Sequence, residues 1–331
     1  MSKIRKLLYF DKKKTLEMIS FLNNDAGSAY INGIMFNPLI LLHHLLPLRF
    51  KYLPESYVLK DKKDIKGLIT VAPNNSKQRK VEIKKLFFEE NSYDEASELV
   101  QYAVSKYKAL GATSIMVKVD DYLPELLSMF INKCGFSQIS FERLWRVTNF
   151  PECGYDKKNF RYFRNSDSQT IANIYNDSLL PHFRPLLSVE AREFKENILK
   201  GLSYINEYKY TIIDKKSRNI TGCIIIQTTD NQNYILDIIQ NNWSNTNINE
   251  ILHFAADKIR RRHRKFGLFV KTKKYTDCGD NYEKIFSENK YERIQNQNVL
   301  TNSSAKVLRV EEKTGKFTAI GDFCPNNAMP I

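Results

Sequence analysis

The feature that most constrains this chain is a pattern of elements that occurs twice at a nearly fixed offset. Thr15 and Thr170 are separated by 170 − 15 = 155 residues, Gly67 and Gly222 by 222 − 67 = 155, and Gly111 and Gly267 by 267 − 111 = 156. Three landmarks that keep one spacing point to a duplicated unit rather than to a chance run of alternating elements. A chain of 331 residues with 42% hydrophobic content has enough apolar side chains for two modest cores.

In the first run, residues 4–10 read as a strand, and Leu16, Ile19 and Leu22 mark one face of a helix. Residues 57–59 and 67–71 flank a polar turn as a hairpin, and 81–88 form another strand. Ala96, Leu99, Val100, Ala103, Val104, Tyr107 and Leu110 then line one face of a long helix, with Gly111 as its left-handed stop. Strand 113–119, helix 123–132 and strand 137–147 complete the run. The second run repeats the order. Strand 160–163, a helix from about Asp167, hairpin 210–213 with 220–228 and strand 234–240 come first. A helix with Ile248, Ile251, Leu252, Ala255 and Ile259 inward follows and stops at Gly267. The expected units are 1–150 and 151–302, each burying its own apolar faces, with 303–331 as a partly disordered tail.

The order strand, helices, hairpin, strand, long helix, strand, helix, strand resembles the GNAT (N-acetyltransferase-like) superfamily. The resemblance is carried by Phe130-Ile131-Asn132-Lys133-Cys134-Gly135-Phe136, which is similar to the aliphatic-Tyr-Glu-Lys-x-Gly-Phe run closing the family's fourth helix. The second copy, Ile285 to Tyr291, keeps only the apolar frame. The implied fold class is α/β: two tandem GNAT-like domains, each a mixed, mostly antiparallel twisted sheet flanked by helices. The implied activity is N-acyl transfer from acetyl-CoA or another acyl-CoA to a small-molecule or peptide amine.

The family holds the CoA pyrophosphate on a glycine-containing loop at the N-terminus of the long helix, where backbone donors and the helix dipole face the anion. The first copy has Glu89-Glu90-Asn91-Ser92-Tyr93-Asp94 there, an acidic helix start that repels phosphate. The second has an uncharged stretch, so the resemblance puts cofactor contacts at Gln240, Asn242, Ser244, Asn245 and Thr246. The family's acidic tyrosine is replaced by Ile131 and Phe286, neither of which has a proton to give.

Leu41 to Leu48 and Leu179 to Leu186 share the pattern Leu-Leu-x-His-x-x-Pro-Leu, matching His44 to His182 in the region that lines the family's acceptor site. His182 and Asp237 are the catalytic candidates, and His44 and Arg184 the acceptor-binding ones; each also has a structural reading as a capped helix-end residue or an ion-pair partner. The net charge of +14 and the run Arg260-Arg261-Arg262-His263-Arg264-Lys265 support the alternative of a non-catalytic tandem protein that binds RNA or another anionic partner. Five scattered cysteines, an odd number, argue against a disulfide framework or a metal site and fit a cytoplasmic protein. The apolar stretch 31–48 is interrupted by Asn32, Asn37, Pro38, His43 and His44, so no membrane association is expected from it.

Overall fold

The computed structural model describes residues 3–19, 54–61, 64–73, 79–89, 91–149, 154–196, 206–241, 246–303, 309–313 and 316–320. The first run gives β1 (Lys3–Lys6), α1 (Lys12–Ile19), β2 (Glu55–Asp61), β3 (Asp64–Pro73), β4 (Lys80–Phe88), α2 (Tyr93–Ala109), β5 (Ser114–Asp120), α3 (Pro124–Ser128) and β6 (Ser137–Arg146). The second gives β7 (Phe160–Tyr162), α4 (Ser168–Ser178), α5 (Arg184–Leu187), α6 (Ala191–Phe194), β8 (Asn206–Ile213), β9 (Ile220–Thr228), β10 (Asn233–Gln240), α7 (Ile248–Arg260), β11 (Gly267–Lys273), α8 (Gly279–Glu288) and β12 (Glu292–Ser303). A separate hairpin, β13 (Arg309–Lys313) with β14 (Lys316–Ile320), lies within the expected tail.

Local chemistry accounts for the main elements. Helix α2 buries Ala96, Leu99, Val100, Ala103, Val104 and Tyr107 on one face, and places Asp94 and Glu95 in its first turn and Lys106 and Lys108 in its last, as the helix dipole favours. Gly111, at φ 94°, ends it in a conformation that side chains disfavour. Helix α7 is capped by Asn247, whose side chain accepts from the Asn249 amide, and buries Ile248, Ile251, Leu252, Phe254, Ala255 and Ile259.

The duplication is written into the polar contacts as well. Arg5 forms a bidentate pair with Asp11 at 2.6 and 2.6 Å, while the Leu8 amide donates to the same carboxylate. Arg161 forms the same pair with Asp167 at 2.7 and 2.8 Å, and the Arg164 amide takes the place of Leu8. The offsets are 161 − 5 = 156, 167 − 11 = 156 and 164 − 8 = 156. Each pair ties the first strand of its copy to the following helix with planar, charge-assisted bonds.

All twelve of these strands lie in one sheet, in the order β1-β2-β3-β4-β5-β12-β6-β11-β10-β9-β8-β7. Here the structure departs from the expectation that each copy buries its own faces. β12, the last strand of the second run, pairs antiparallel with β5 of the first. β6, the last strand of the first run, pairs antiparallel with β11 of the second. β12 and β6 then pair with each other across the seam. Leu300 of β12 therefore belongs to the first copy's core with Leu99, Val117 and Phe130, whereas Trp145 of β6 belongs to the second, with Leu252, Leu268 and Phe286. The last strands are reciprocally exchanged within a single chain.

Two further departures have local causes. α7 ends at Arg260, and Gly267 opens β11 instead of stopping the helix, so it is not the counterpart of Gly111. Helix 123–132 is observed as α3 followed by a π-turn over Met129–Lys133. After it Gly135 adopts φ 68°, and the matching position in the second copy, Lys290, is held at φ 57° (290 − 135 = 155). The turn conformation is thus duplicated even where glycine is not, at a cost of about 1 kcal/mol for the lysine.

Candidate functional site

Each copy contains one parallel strand pair that opens partway along. β4 and β5 are in register from Lys80 with Ser114 to Ile83 with Val117 and then part. Next to this point β3 and β4 shift register between Thr70 with Lys85 and Val71 with Ile83, so Lys84 is bulged out. β10 and β11 are in register from Asn233 with Gly267 to Asp237 with Lys271. Beyond that, Ile238, Ile239 and Gln240 pair only with β9, leaving their β11-facing edge without a strand partner.

The opening in the second copy is filled by side chains. The Tyr282 hydroxyl donates to Gln240 Oε1 at 2.6 Å, and Gln240 Nε2 donates to the Thr246 carbonyl at 2.8 Å. A cavity of about 10 Å³ remains among Ile238, Gln240, Thr272, Cys278 and Tyr282. That is about the room a single water needs. In the first copy the corresponding loop and helix start carry Glu89, paired with Lys66 at 2.9 Å, and Asp94, paired with Lys133 at 2.6 Å.

Beside the second opening, at the seam between the copies, lies a larger cavity of about 150 Å³. It is built from both runs. Lys80, Ser114 and Lys118 come from β4 and β5, Glu142 from the exchanged β6, and Asp237, Lys271 and Lys273 from β10 and β11. Tyr175 of α4, Leu186 and Leu187 of α5, Glu193 of α6, and Tyr275 cover it. In β11, Leu268, Val270 and Thr272 are buried on one side of the strand, so the alternation sends Lys271 and Lys273 to the other.

The charges in this wall are interlocked. Glu142, 2% exposed, accepts from the Tyr275 hydroxyl at 2.5 Å and contacts Lys118 at 2.9 Å and Lys271 at 3.8 Å. Burial would raise its pKa, but Lys118, Lys271, Lys273 and the Tyr275 hydroxyl hold it well below the usual carboxylate range. Asp237 pairs with Lys273 at 2.7 and 2.8 Å. Burial pulls Lys273 down, yet Asp237, Tyr175 and Glu142 together outweigh it and keep the ammonium above its ordinary value. For Lys271 the balance reverses: burial wins over Glu142 and Asp237, with Lys118 and Lys273 reinforcing it, and the pKa falls. Burial lifts Glu193 to about 7.

The residues singled out in the sequence are distributed as follows. Asp237 lines the seam cavity, and Gln240 and Thr246 meet at the β10–β11 opening. His182 is exposed, its ring 3.9 Å from that of Phe183, and Arg184 is also exposed, donating to the carbonyls of Leu179 at 3.0 Å and Asp177 at 3.2 Å. The segment reaches the cavity through Leu186 and Leu187, so the structure does not bring His182 or Arg184 together with Asp237. His44, Asn242, Ser244 and Asn245 lie outside the described residues. Phe286, at the family's tyrosine position, is fully buried against Trp145. Tyr282, one helical turn earlier, supplies the hydroxyl at the opening. In the basic run Arg261 pairs with Asp257 at 2.8 Å and Arg262 stacks 3.6 Å over Tyr208. Among the described residues no group of His, Cys, Asp and Glu is arranged to hold a metal ion, and no helix is long and apolar enough to cross a membrane.

The sequence does not single out Glu142 or Lys118, and it offers Lys271, Lys273 and Tyr275 only as basic and aromatic residues that follow the run 260–265, not as groups lining a cavity. One signal was present: Lys118 and Lys271 sit at equivalent points of β5 and β11, 271 − 118 = 153 residues apart, and both reach Glu142.

The duplicated order, with a parallel pair that opens in each copy and a long helix joining its two strands, is a tandem arrangement whose fold is similar to that of tandem GNAT proteins. No protein-family model matches the chain, and no curated protein matches it by sequence. Among solved structures it is similar to a tandem GNAT protein from the clavulanic acid biosynthesis pathway, with a TM-score of 0.61 and 9% identity over 92% of this chain and 99% of that one. It is also similar to a GCN5-related N-acetyltransferase from Sphaerobacter thermophilus, with a TM-score of 0.57 and 9% identity over 91% and 95%. A GCN5-related N-acetyltransferase from Anabaena variabilis ATCC 29413 gives 0.51 and 13% over 92% and 73%. At these identities the likeness is one of fold.

Proposed function

We propose that this chain transfers an acyl group from acyl-CoA to an amine, with the donor at the β10–β11 opening and the acceptor in the seam cavity. The observation that carries this reading is their adjacency: Tyr175, Lys271 and Lys273 line both spaces. The second copy suits the donor better than the first. The free edge of Ile238, Ile239 and Gln240 offers backbone groups to the amides of a pantetheine arm. The 13-residue helix α7 begins nearby at Asn247 with a single carboxylate, Glu250, in its first turn, whereas α2 has two, Asp94 and Glu95. The fit requires Tyr282 to swing away from Gln240, because the opening is otherwise closed.

When bound, acyl-CoA supplies a thioester-activated acyl group. The remaining work falls to the protein's own side chains. Asp237, fixed by Lys273, can take a proton from the acceptor amine at its carboxylate oxygen. The Tyr282 hydroxyl is the proton donor nearest the opening, in place of Phe286. The helix segment around Leu186 and Leu187 covers one side of the cavity and limits its access to water.

Asp237→Asn in the full chain should lower the rate of CoA thiol release from acetyl-CoA by about 10²-fold or more, in line with the loss of a positioned base, while leaving binding of acetyl-CoA unchanged by calorimetry. An unchanged rate would remove Asp237 from the mechanism. Absence of any heat when acetyl-CoA is titrated into the wild-type chain would defeat the reading as a whole.

A further inference from the structure

The seam cavity has an uneven charge balance. Its wall holds four ammonium groups (Lys80, Lys118, Lys271, Lys273) and three carboxyl groups (Glu142, Glu193, Asp237). Each carboxyl already has a partner: Asp237 has Lys273, Glu142 has Lys118 and Tyr275, and Glu193 accepts from the Glu190 amide at 2.9 Å. Lys80 is spent on Ser188, donating to its carbonyl and lying 3.3 Å from its hydroxyl. Lys271 stands apart. Its closest carboxylate contact is the 3.8 Å approach to Glu142, beyond hydrogen-bond range, and its side chain remains 24% exposed where it lines the cavity. An ammonium in so enclosed a place gains most from an anionic acceptor brought in from outside.

The geometry points to a small molecule carrying both a carboxylate and an amine as the occupant of this cavity, with Lys271 receiving the carboxylate. The identification of that molecule as the acyl acceptor rests on the transfer reading above; its binding does not. Size agrees: a cavity of about 150 Å³ is of the order that holds one small organic molecule, which admits a small amino acid. Charge agrees as well. A carboxylate beside Lys271 favours the charged form of that ammonium, and the neighbouring ammonium groups of Lys118 and Lys273 disfavour a further positive charge on the ligand, so the site favours loss of the ligand's ammonium proton, which acyl transfer needs. Both copies contribute, since Ser114 and Lys118 face Lys271 and Asp237 across the seam. The site is therefore a product of the strand exchange rather than of either copy alone.

The test is thermal unfolding of the full chain, without any acyl donor, against the twenty protein amino acids and the ω-amino acids of three to five carbons, with propylamine and inorganic phosphate as controls. At least one amino acid should raise the midpoint in a concentration-dependent way, and the controls should not. In Lys271→Met its dissociation constant, measured by calorimetry, should rise at least about tenfold, whereas Lys265→Gln, on the exposed surface after α7, should leave it unchanged. Propylamine binding as tightly as the amino acids, no amino acid shifting the midpoint, or Lys271→Met binding with wild-type affinity while remaining folded would each overturn the proposal. Amino acid binding without CoA release from acetyl-CoA would instead defeat the transfer reading and leave this site standing.

Discussion

Glu142→Gln should destabilise the protein by about 3–5 kcal/mol at pH 7, the cost of removing one member of a buried ionic cluster and leaving its partners unpaired. Lys118 and Lys271 would both face a neutral amide across the seam. Lys271, already below its ordinary pKa, can shed its proton and recover part of the loss, which favours the lower end of that range. The effect has a defined pH dependence. Glu142 is held well below the usual carboxylate range in the folded protein, so its contribution is fully present above the unfolded value of about 4.3 and is lost as pH falls from there toward the folded-state value. Urea unfolding followed by the fluorescence of Trp145, which shares β6 with Glu142, should separate the two proteins at pH 7 and show them converging as pH is lowered below about 4. Adding Lys118→Met to Glu142→Gln should restore stability, since apolar replacement of a buried ion pair is tolerated better than its division. A difference under about 1 kcal/mol at pH 7 would show that the cluster is solvated like a surface pair.

Ending the chain after Tyr291 should unfold both copies, although the deleted residues follow the second in sequence. β12 fills the space between β5 and β6, and its Val299 and Leu300 are fully buried. Losing those two side chains alone forfeits about 1.5–3 kcal/mol each, before the two strand ladders are counted. Hydrogen exchange in α2, some two hundred residues earlier in the chain, is the decisive readout: its amides should lose protection by orders of magnitude in the truncated chain. Protection of α2 at the full-chain level would mean that the first copy folds without the borrowed strand.

The order of elements was legible because each relies on local pattern. The inward face of α2, the alternation of 81–88 and 234–240, and the Gly111 stop all express themselves within a few residues. The exchange of last strands was not legible. Neither 137–146 nor 292–303 carries a pattern that selects one neighbour over the other, and β12 meets both β5 and β6 in antiparallel register. Gly267 misled as a landmark because a glycine's spacing says nothing of its φ, and this one sits in a strand. Arg5 with Asp11 and Arg161 with Asp167 were a stronger repeat signal, since two residue types recur at one spacing and their contacts recur with them.

In the wall of the seam cavity the sequence singled out Asp237, a carboxylate among the apolar residues of its strand. Glu142, Lys118, Lys271 and Lys273 look in sequence like the solvated side of their strands, because charged residues alternate there with apolar ones. They are enclosed instead because exchange brings β5, β6 and β11 close together and the segment from Tyr175 to Glu193 covers them. No periodicity within one strand can report a neighbour contributed by the other half of the chain. The same reasoning explains why the paired histidine pattern drew attention to His182, while the residues that reach the cavity from that segment are the apolar Leu186 and Leu187.

A cross-link between the copies tests the exchange most directly. The Ser114 and Thr301 hydroxyls lie 3.0 Å apart between β5 and β12, close enough for a pair of cysteines to bridge. In the Ser114→Cys, Thr301→Cys protein, mild oxidation should produce a single 114–301 disulfide in high yield, seen by peptide mass mapping, with the far-UV circular dichroism of the folded chain retained. Failure to form that bond in a folded, oxidised protein, with neither single variant behaving differently from wild type, would contradict the placement of β12 beside β5 and with it the shared seam.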